Sequence, residues 1–519
     1  FPAKGNAAYS GKISTDQFDM GTFLGVKSLG TVSFNGKVKG SGFSAQTLNA
    51  SLDGIFSHLQ YNDYDYENTV VKGRMDKKFF RGAVHVNDPN LIITLDGDID
   101  FNTKKPEFNF FADIQRSNLK KIGFAKDDMN VIGKFDMNFN GDDIDNFLGA
   151  VSLYDVAVTK GNQTFVFDTL TLSSQLIDQQ KILQLRNTEA SAFLIGDFTI
   201  REVPEAVKQF LNKYYPAYIP PPKKAIKDQN FLFQLDVKNI DQYLSLINPA
   251  LRGFNNSTIV GSLNSATNLM AISTMIPYAA YKNLAVHDFR LTGLGNMDSL
   301  KLTGIIGNTI VNDSLQFPGS KISIASSNNV SQLNISTAAT QTINDARLSA
   351  QITNLEDGIK IHFDPSSIVL NEKTWKIDEG GELTLSRSYI DAKNIKFSNG
   401  DQEIAVVSKH SDVGTWDDVI IEMKKVNIGD FMPFIVKEPR MEGIVSGTVT
   451  VEDAFREMYI SAELNAEQFR LENDSIGKIA ITGAWDDRNK KATYEAVSVN
   501  KNYRFSIAGS YDIVDSLHQ

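Results

Sequence analysis

Phe108-Asn109-Phe110-Phe111-Ala112-Asp113-Ile114 and, further on, Phe135-Asp136-Met137-Asn138-Phe139 alternate apolar and polar residues with a period of two. Successive side chains of a β-strand point to opposite faces, so this pattern reads as strands with one face buried and one in water. The same reading holds for Phe231, Phe233, Leu235 and Val237, interleaved with Leu232, Gln234 and Asp236. It returns at Ile322/Ile324, Leu333/Ile335, Leu348/Ala350/Ile352, Ile359/Ile361/Phe363, Leu383/Leu385, Ile395/Phe397 and Tyr503/Phe505/Ile507. Parallel α/β sheets, whose strands are apolar on both faces, are disfavoured. The register predicts that Phe108, Phe110, Phe135, Met137, Phe139, Phe231, Phe233 and Leu235 face an apolar interior, and that Asn109, Asp136, Asn138, Gln234 and Asp236 face water, because a slip of one residue would invert every side chain.

Turn chemistry points to antiparallel neighbours. Asn35-Gly36, Asp53-Gly54, Asp96-Gly97, Asn140-Gly141, Asp357-Gly358 and Asn399-Gly400 are dipeptides that accept positive φ, as tight hairpins require. Some 30 strands or more are expected at about 14 residues per strand and turn. Helices are few. The clearest runs from Val203 to Tyr215, with Pro204 in its first turn and Val207, Phe210, Leu211 and Tyr214 on one face. Pro216 and Pro220-Pro221-Pro222 end it and mark a boundary near residue 220, dividing the chain into 1–219, which closes with that helix, and 220–519. A loose repeat places a short apolar segment before a Gly-containing strand. Its copies are Phe18 to Leu24 before Gly30, Val32, Phe34 and Val38; Leu119 and Ile122 before Gly133; Ile240-Asp241-Gln242-Tyr243-Leu244 before Gly261 and Leu263; and Ile428 to Met432 before Gly443, Val445 and Val449. Each copy reads as a β unit punctuated by a short helix or crossing loop.

Of 519 residues, 42% are hydrophobic and 22% charged, which excludes disordered and collagen-like chains. Lys and Arg number 52 against 62 Asp and Glu, a net charge of −10 without a basic stripe, so a nucleic-acid partner is not expected. No Cys is present, which excludes disulfides, thiolate metal sites and a Cys nucleophile. The chain opens on Phe1-Pro2-Ala3 with no leader pattern and is expected to be a piece of a longer protein whose anchor lies outside it. The uncharged run from Gly253 to Tyr281 is too rich in Asn, Ser and Thr for a spanning helix.

Nothing in the chain forms a catalytic constellation. The six His residues show neither H-x-H nor H-E-x-x-H spacing, and His85 and His362 fall at outward strand positions. No nucleophile elbow, phosphate loop or dinucleotide fingerprint occurs. Asp96, Asp98, Asp100, Asn102 and Glu107 have the spacing of a calcium loop, but Phe101 stands where its glycine belongs, and a plain strand and turn reads better. Tyr64 and Tyr66 are compatible with a sugar platform or with a strand whose rings cover a neighbouring Gly. Lys77-Lys78 with Arg81, and Lys223-Lys224 with Lys227, read as solvated turns. No cofactor, metal site or catalytic residue is expected.

Phe18-Asp19-Met20-Gly21-Thr22-Phe23-Leu24, Leu29 to Phe34 and Gly40-Ser41-Gly42-Phe43 resemble the central region of the TamB/AsmA-like family of Gram-negative bacteria. So do Tyr64 to Asn68 with Gly73, Phe79 and Gly82; Asp88-Pro89-Asn90-Leu91 with Gly97 to Phe101; the turn Gly141 to Leu153; and Ser366 to Asn371 with Trp375-Lys376-Ile377. The resemblance spans most of the chain and its motifs are structural. It implies a mostly β fold, a long antiparallel curved sheet forming a repeating β-groove with a few short helices. It further implies an inner-membrane anchor outside this chain, a place in the periplasm, phospholipid acyl chains as cargo and a barrel partner of the outer-membrane insertase type. The groove lining would then be Val32, Phe34, Phe108, Phe110, Phe135, Met137, Phe139, Phe231, Phe233 and Leu235. The competing expectation is a scaffold for outer-membrane protein insertion, or a surface β-protein binding glycans, with its apolar faces packed on each other.

Overall fold

The computed structural model describes residues 6–25, 27–44, 46–241, 243–244, 248–296, 298–311, 315–338, 343–387, 389–410, 417–432, 439–454, 458–498 and 504–512. Phe1 to Ala3, Gln242, Tyr503 and His518 lie outside the described residues. The fold is mostly β, with 35 strands among the described residues, all paired antiparallel in open, curved sheet. Two α-helices, Met20–Leu24 and Val203–Asn212, and two short 3-10 turns, Ile200–Glu202 and Ile428–Asp430, are helical, as are Asp241, Tyr243, Leu244 and Met432 among these residues.

By its contacts the chain divides into two units. The first holds residues 1–201, 230–248 and 255–258, the second 202–229, 249–254 and 259–519. This differs from a single cut at residue 220, for two physical reasons. Strand Asn230–Val237 pairs along its whole length with Ala190–Asp197 of the first unit. The helix buries Ala206 and Phe210, and Phe210 packs against Gly295 and Leu300 of the second unit. Val207 and Leu211, expected on the same apolar face, are half-buried.

Within the first unit, side chains directly opposite in successive pairs share a face and form rows across the sheet. One row is Ala50, Met75, Phe80, Ile99, Phe108 and Phe139. The next is Leu52, Gly73, Gly82, Gly97, Phe110 and Met137, and a third is Val71, Val84, Leu95, Ala112 and Phe135. The opposite face is polar: Arg74, Arg81, Asp98, Asn109 and Asn138 form one of its rows, and Arg81 Nε and Nη2 grip Asp98 at 2.6 Å each.

Three of the dipeptides read as turns lie inside strands. Asn35-Gly36 is in Leu29–Ser41, Asp53-Gly54 in Asn49–Tyr61 and Asp96-Gly97 in Leu91–Asp100. Gly36 faces Gly54, and Gly73, Gly82 and Gly97 face one another in line. Gly97 has φ +146, and a Cβ there would be driven into Asn109 O and the Phe110 backbone. The glycines therefore let neighbouring strands approach and crease the sheet, with Phe rings covering them. Left-handed residues within strands bend it further: the register breaks around Asp155 (φ 51°), Lys425 (φ 50°) and Gln468 (φ 52°).

All four crossing segments of the repeat are present. Met20–Leu24 is capped by Asp19, whose carboxylate accepts from Thr22 N at 2.9 Å, and by Gly25 in the left-handed conformation. Ile122 is 2% exposed against Tyr66 and Val86, Leu244 is 6% exposed, and Phe431 packs on Trp375.

Candidate functional site

The ten residues expected to line a groove share one face of the sheet in the first unit. Phe108 faces Phe139 and Phe110 faces Met137 between strands Glu107–Ser117 and Met129–Asn140. From Met137 the row continues through Val151, Leu172, Leu185 and Ala192 to Leu235. From Phe139 it runs through Gly149, Ser174, Leu183 and Leu194 to Phe233. At the other end Phe34 faces Phe56, which faces Thr69. The topology thus gathers residues more than 200 positions apart on one apolar surface.

Aromatic rings run along it. Phe108 stacks on Phe139 at 4.7 Å, Phe139 meets Phe147 at 5.1 Å and Phe34 meets Phe56 at 4.8 Å. Burial separates two groups. Val32, Phe34 and Phe231 are sealed at 1%, 6% and 4% exposure. Phe108, Phe110, Phe135, Met137, Phe139, Phe233 and Leu235 are only half-buried. Their polar neighbours Asn109, Asp136 and Asn138 are exposed. Gln234 and Asp236, expected in water, are half-buried: Asp236 accepts from Gln234 Nε2 at 2.5 Å and from Thr258 Oγ1 at 3.1 Å, which compensates the carboxylate as the strand is covered.

The sequence reading missed part of this surface. Val151, Leu172, Leu183, Leu185 and Leu194 line the same rows, but Ile182-Leu183 and Leu194-Ile195 put apolar residues on both faces and blur the alternation that would reveal them. Lys181 shares the face of Leu183 at its margin. Its ammonium donates to Asp145 O at 2.8 Å and Ile144 O at 3.1 Å and lies 5.6 Å from the Phe198 ring, and burial pulls its pKa below the ordinary lysine value. It is thereby a tether for the acidic turn Asp142 to Asn146, whose Asp143 and Asp145 also pair with Arg201.

The other candidates resolve into structure. Tyr66 is 7% exposed, packs with Val86 and Ile122, and burial pushes its hydroxyl up to about 12. Tyr64 donates to the buried Asp88 at 2.6 Å, and Asp88 also accepts from the backbone of Glu67 and Asn90. These rings are core, not a sugar platform. Asp96, Asp98 and Asp100 lie along strand Leu91–Asp100 with Asp98 held by Arg81, and no group of three His, Asp or Glu among the described residues is placed to hold a metal ion. His85 meets Thr94 at 3.0 Å and His362 lies 3.8 Å from Glu382. No helix among the described residues is long and apolar enough to cross a membrane. Compared with known proteins, the chain matches no family model, no curated protein and no solved structure.

Proposed function

We propose that the apolar rows of the first unit form a trough that carries phospholipid acyl chains. The observation that supports this is the half-burial of Phe108, Phe110, Phe135, Met137 and Phe139 in rows that continue strand after strand. A sealed core would bring such rings to near-zero exposure. Each acyl CH₂ shielded there would contribute about 0.8 kcal/mol, so a chain could lie along the rows without a specific pocket.

The resemblance to the TamB/AsmA-like family extends the proposal. The trough would bridge inner and outer membranes across the periplasm, held by an anchor outside this chain, and serve outer-membrane biogenesis beside an insertase-type barrel. In this reading the protein shields and passes lipid and performs no covalent chemistry.

The test places a carboxylate in the lining. Met137→Glu and Phe233→Glu are expected to leave the fold intact, because a long side chain at a half-open position can reach water. They should abolish crosslinking of a photoactivatable phospholipid. Asn138→Glu, on the polar face, should leave crosslinking unchanged. Unfolding of both lining variants would favour a closed scaffold, and unchanged crosslinking would remove the conduit reading.

A further inference from the structure

The second unit carries a segment that lies on its own sheet. Residues 202–229 leave and return at one base: the Glu202 carboxylate accepts from Lys227 N at 3.0 Å and Gln229 Nε2 at 3.4 Å, and Gln229 N donates to Ser265 Oγ at 2.7 Å. Between these points the helix Val203–Asn212 and the turns after it bury Ala206, Phe210, Tyr214 and Ala217 at 1–4% exposure, while Lys208, Gln209, Lys213 and Tyr218 face outward. The Phe210 ring fills the space left by Gly295 and touches the ground beside Leu300.

The body of the segment is clipped to successive strand ends. Tyr214 donates its hydroxyl to Asn296 O, and Asn354 Nδ2 donates to Tyr214 O at 2.5 Å. Tyr215 Oη meets Ser326 Oγ at 3.5 Å, and Arg387 Nη2 donates to Ala217 O at 3.0 Å. Arg387 has no carboxylate partner among the described residues, so its guanidinium serves the segment. Underneath, Leu300 and Ser326 are sealed at 4% each. One row inward on the same face, Leu302, Ile324 and Leu333 face one another and stay half-buried. The segment therefore closes only the margin of the apolar face. Pro216 and Pro220 to Pro222 restrict the backbone between clips and base.

We infer that residues 202–229 are a hinged flap whose release uncovers Leu300 and so extends the half-open apolar row of Leu302 and Ile324 into a seat for a phospholipid acyl chain. A pinned base, a restricted backbone and a few hydrogen-bond clips are what such a device needs. The ring of Phe210 stands in for the chain it excludes. This rests on the conduit reading, applied to the second unit.

Because the chain has no Cys, a lock can be introduced cleanly. Tyr215→Cys with Ser326→Cys, bridged by a reducible bismaleimide, holds the flap down. Asn354→Ala with Tyr214→Phe removes two clips while leaving the base and the Phe210 packing. Each protein is mixed with a phosphatidylethanolamine bearing a diazirine on its acyl chain, irradiated, and mapped by peptide mass spectrometry. Labelling at Leu300 should rise on releasing the clips by about fivefold for each one removed, fall in the locked form, and return when the bridge is reduced. Labelling at Leu333 should change little. Equal labelling of Leu300 in locked, reduced and released proteins, with Leu333 labelled, overturns the flap. Absence of label at both residues in every form overturns the conduit reading beneath it.

Discussion

Phe108 in the first unit and Trp375 in the second both stand on the apolar face of a two-faced sheet, flanked by polar neighbours. Their surroundings differ. Phe108 stacks on Phe139 and stays half-buried. Trp375 is 0% exposed, stacked on Phe397 at 5.0 Å, closed edge-on by Phe431 at 5.1 Å, and surrounded by Ala346, Leu370 and Val426. What closes the second site is the crossing turn Ile428–Asp430 and the Phe431 that follows it, held by Asp430, which takes a 2.7 Å bond from Lys373. The same alternation thus yields a sealed core where a crossing segment lands and an open apolar surface where none does. Cover, rather than periodicity, distinguishes a trough from a core.

The largest effect should come from cutting into the sealed site. Trp375→Ala is expected to destabilise its unit by about 3–5 kcal/mol, since a fully buried ring leaves a cavity that cannot collapse. Phe110→Ala, at a half-buried lining position, should cost under about 2 kcal/mol because part of that ring already meets water. Urea unfolding of the two variants measures the difference. Equal costs would mean that the first unit is closed in solution, and the comparison would break.

Much of this was legible in residues. Phe135-Asp136-Met137-Asn138-Phe139 carries its faces openly, because a one-residue slip buries Asp136. The crossing segments also showed, as short apolar runs before a glycine. Three things did not. Asn35-Gly36 and Asp96-Gly97 look like turns, yet their glycines are spent on cross-strand approach, which depends on partners far away in sequence. The tight turns with positive φ at both central residues are instead Asn62-Asp63, Asp178-Gln179, Asn328-Asn329 and Asn371-Glu372. The half-burial of Asp236 needed Thr258, and the landing place of Phe210 needed Gly295. Each is a long-range pairing, which local periodicity does not encode.

The crease offers a test in which the units should agree. Gly97 in the first unit and Gly447 in the second both hold φ near +147, at +146 and +147, and in both a Cβ would meet a backbone carbonyl across the strand, from Asn109 and Glu463. Gly97→Ala and Gly447→Ala should each cost about 1–3 kcal/mol. Gly400→Ala is the control, at a turn glycine (φ +57) with open space around it, and should cost about 1 kcal/mol. Thermal unfolding measures all three. If only one of the strand variants is destabilised, creasing is a property of that unit alone.

The smallest effect probes a place where a crossing segment seals the first unit as one seals the second. Tyr66 lies under Ile122, and burial raises its pKa from 10.0 to about 12. The fold therefore holds this proton more tightly than the unfolded chain does. Its contribution to stability is complete below pH 10 and is lost as pH rises from 10 towards 12, because the unfolded chain ionises first. The loss amounts to about 2 kcal/mol at most. Tyr66→Phe keeps the ring and removes the proton, so the difference between native protein and variant should shrink over that interval while other titrating groups cancel. The measurement is urea unfolding at a series of pH values. A difference that stays flat from pH 9 to 12 would mean that Ile122 does not seal Tyr66 in solution, and that the first unit is open even where this crossing segment lands.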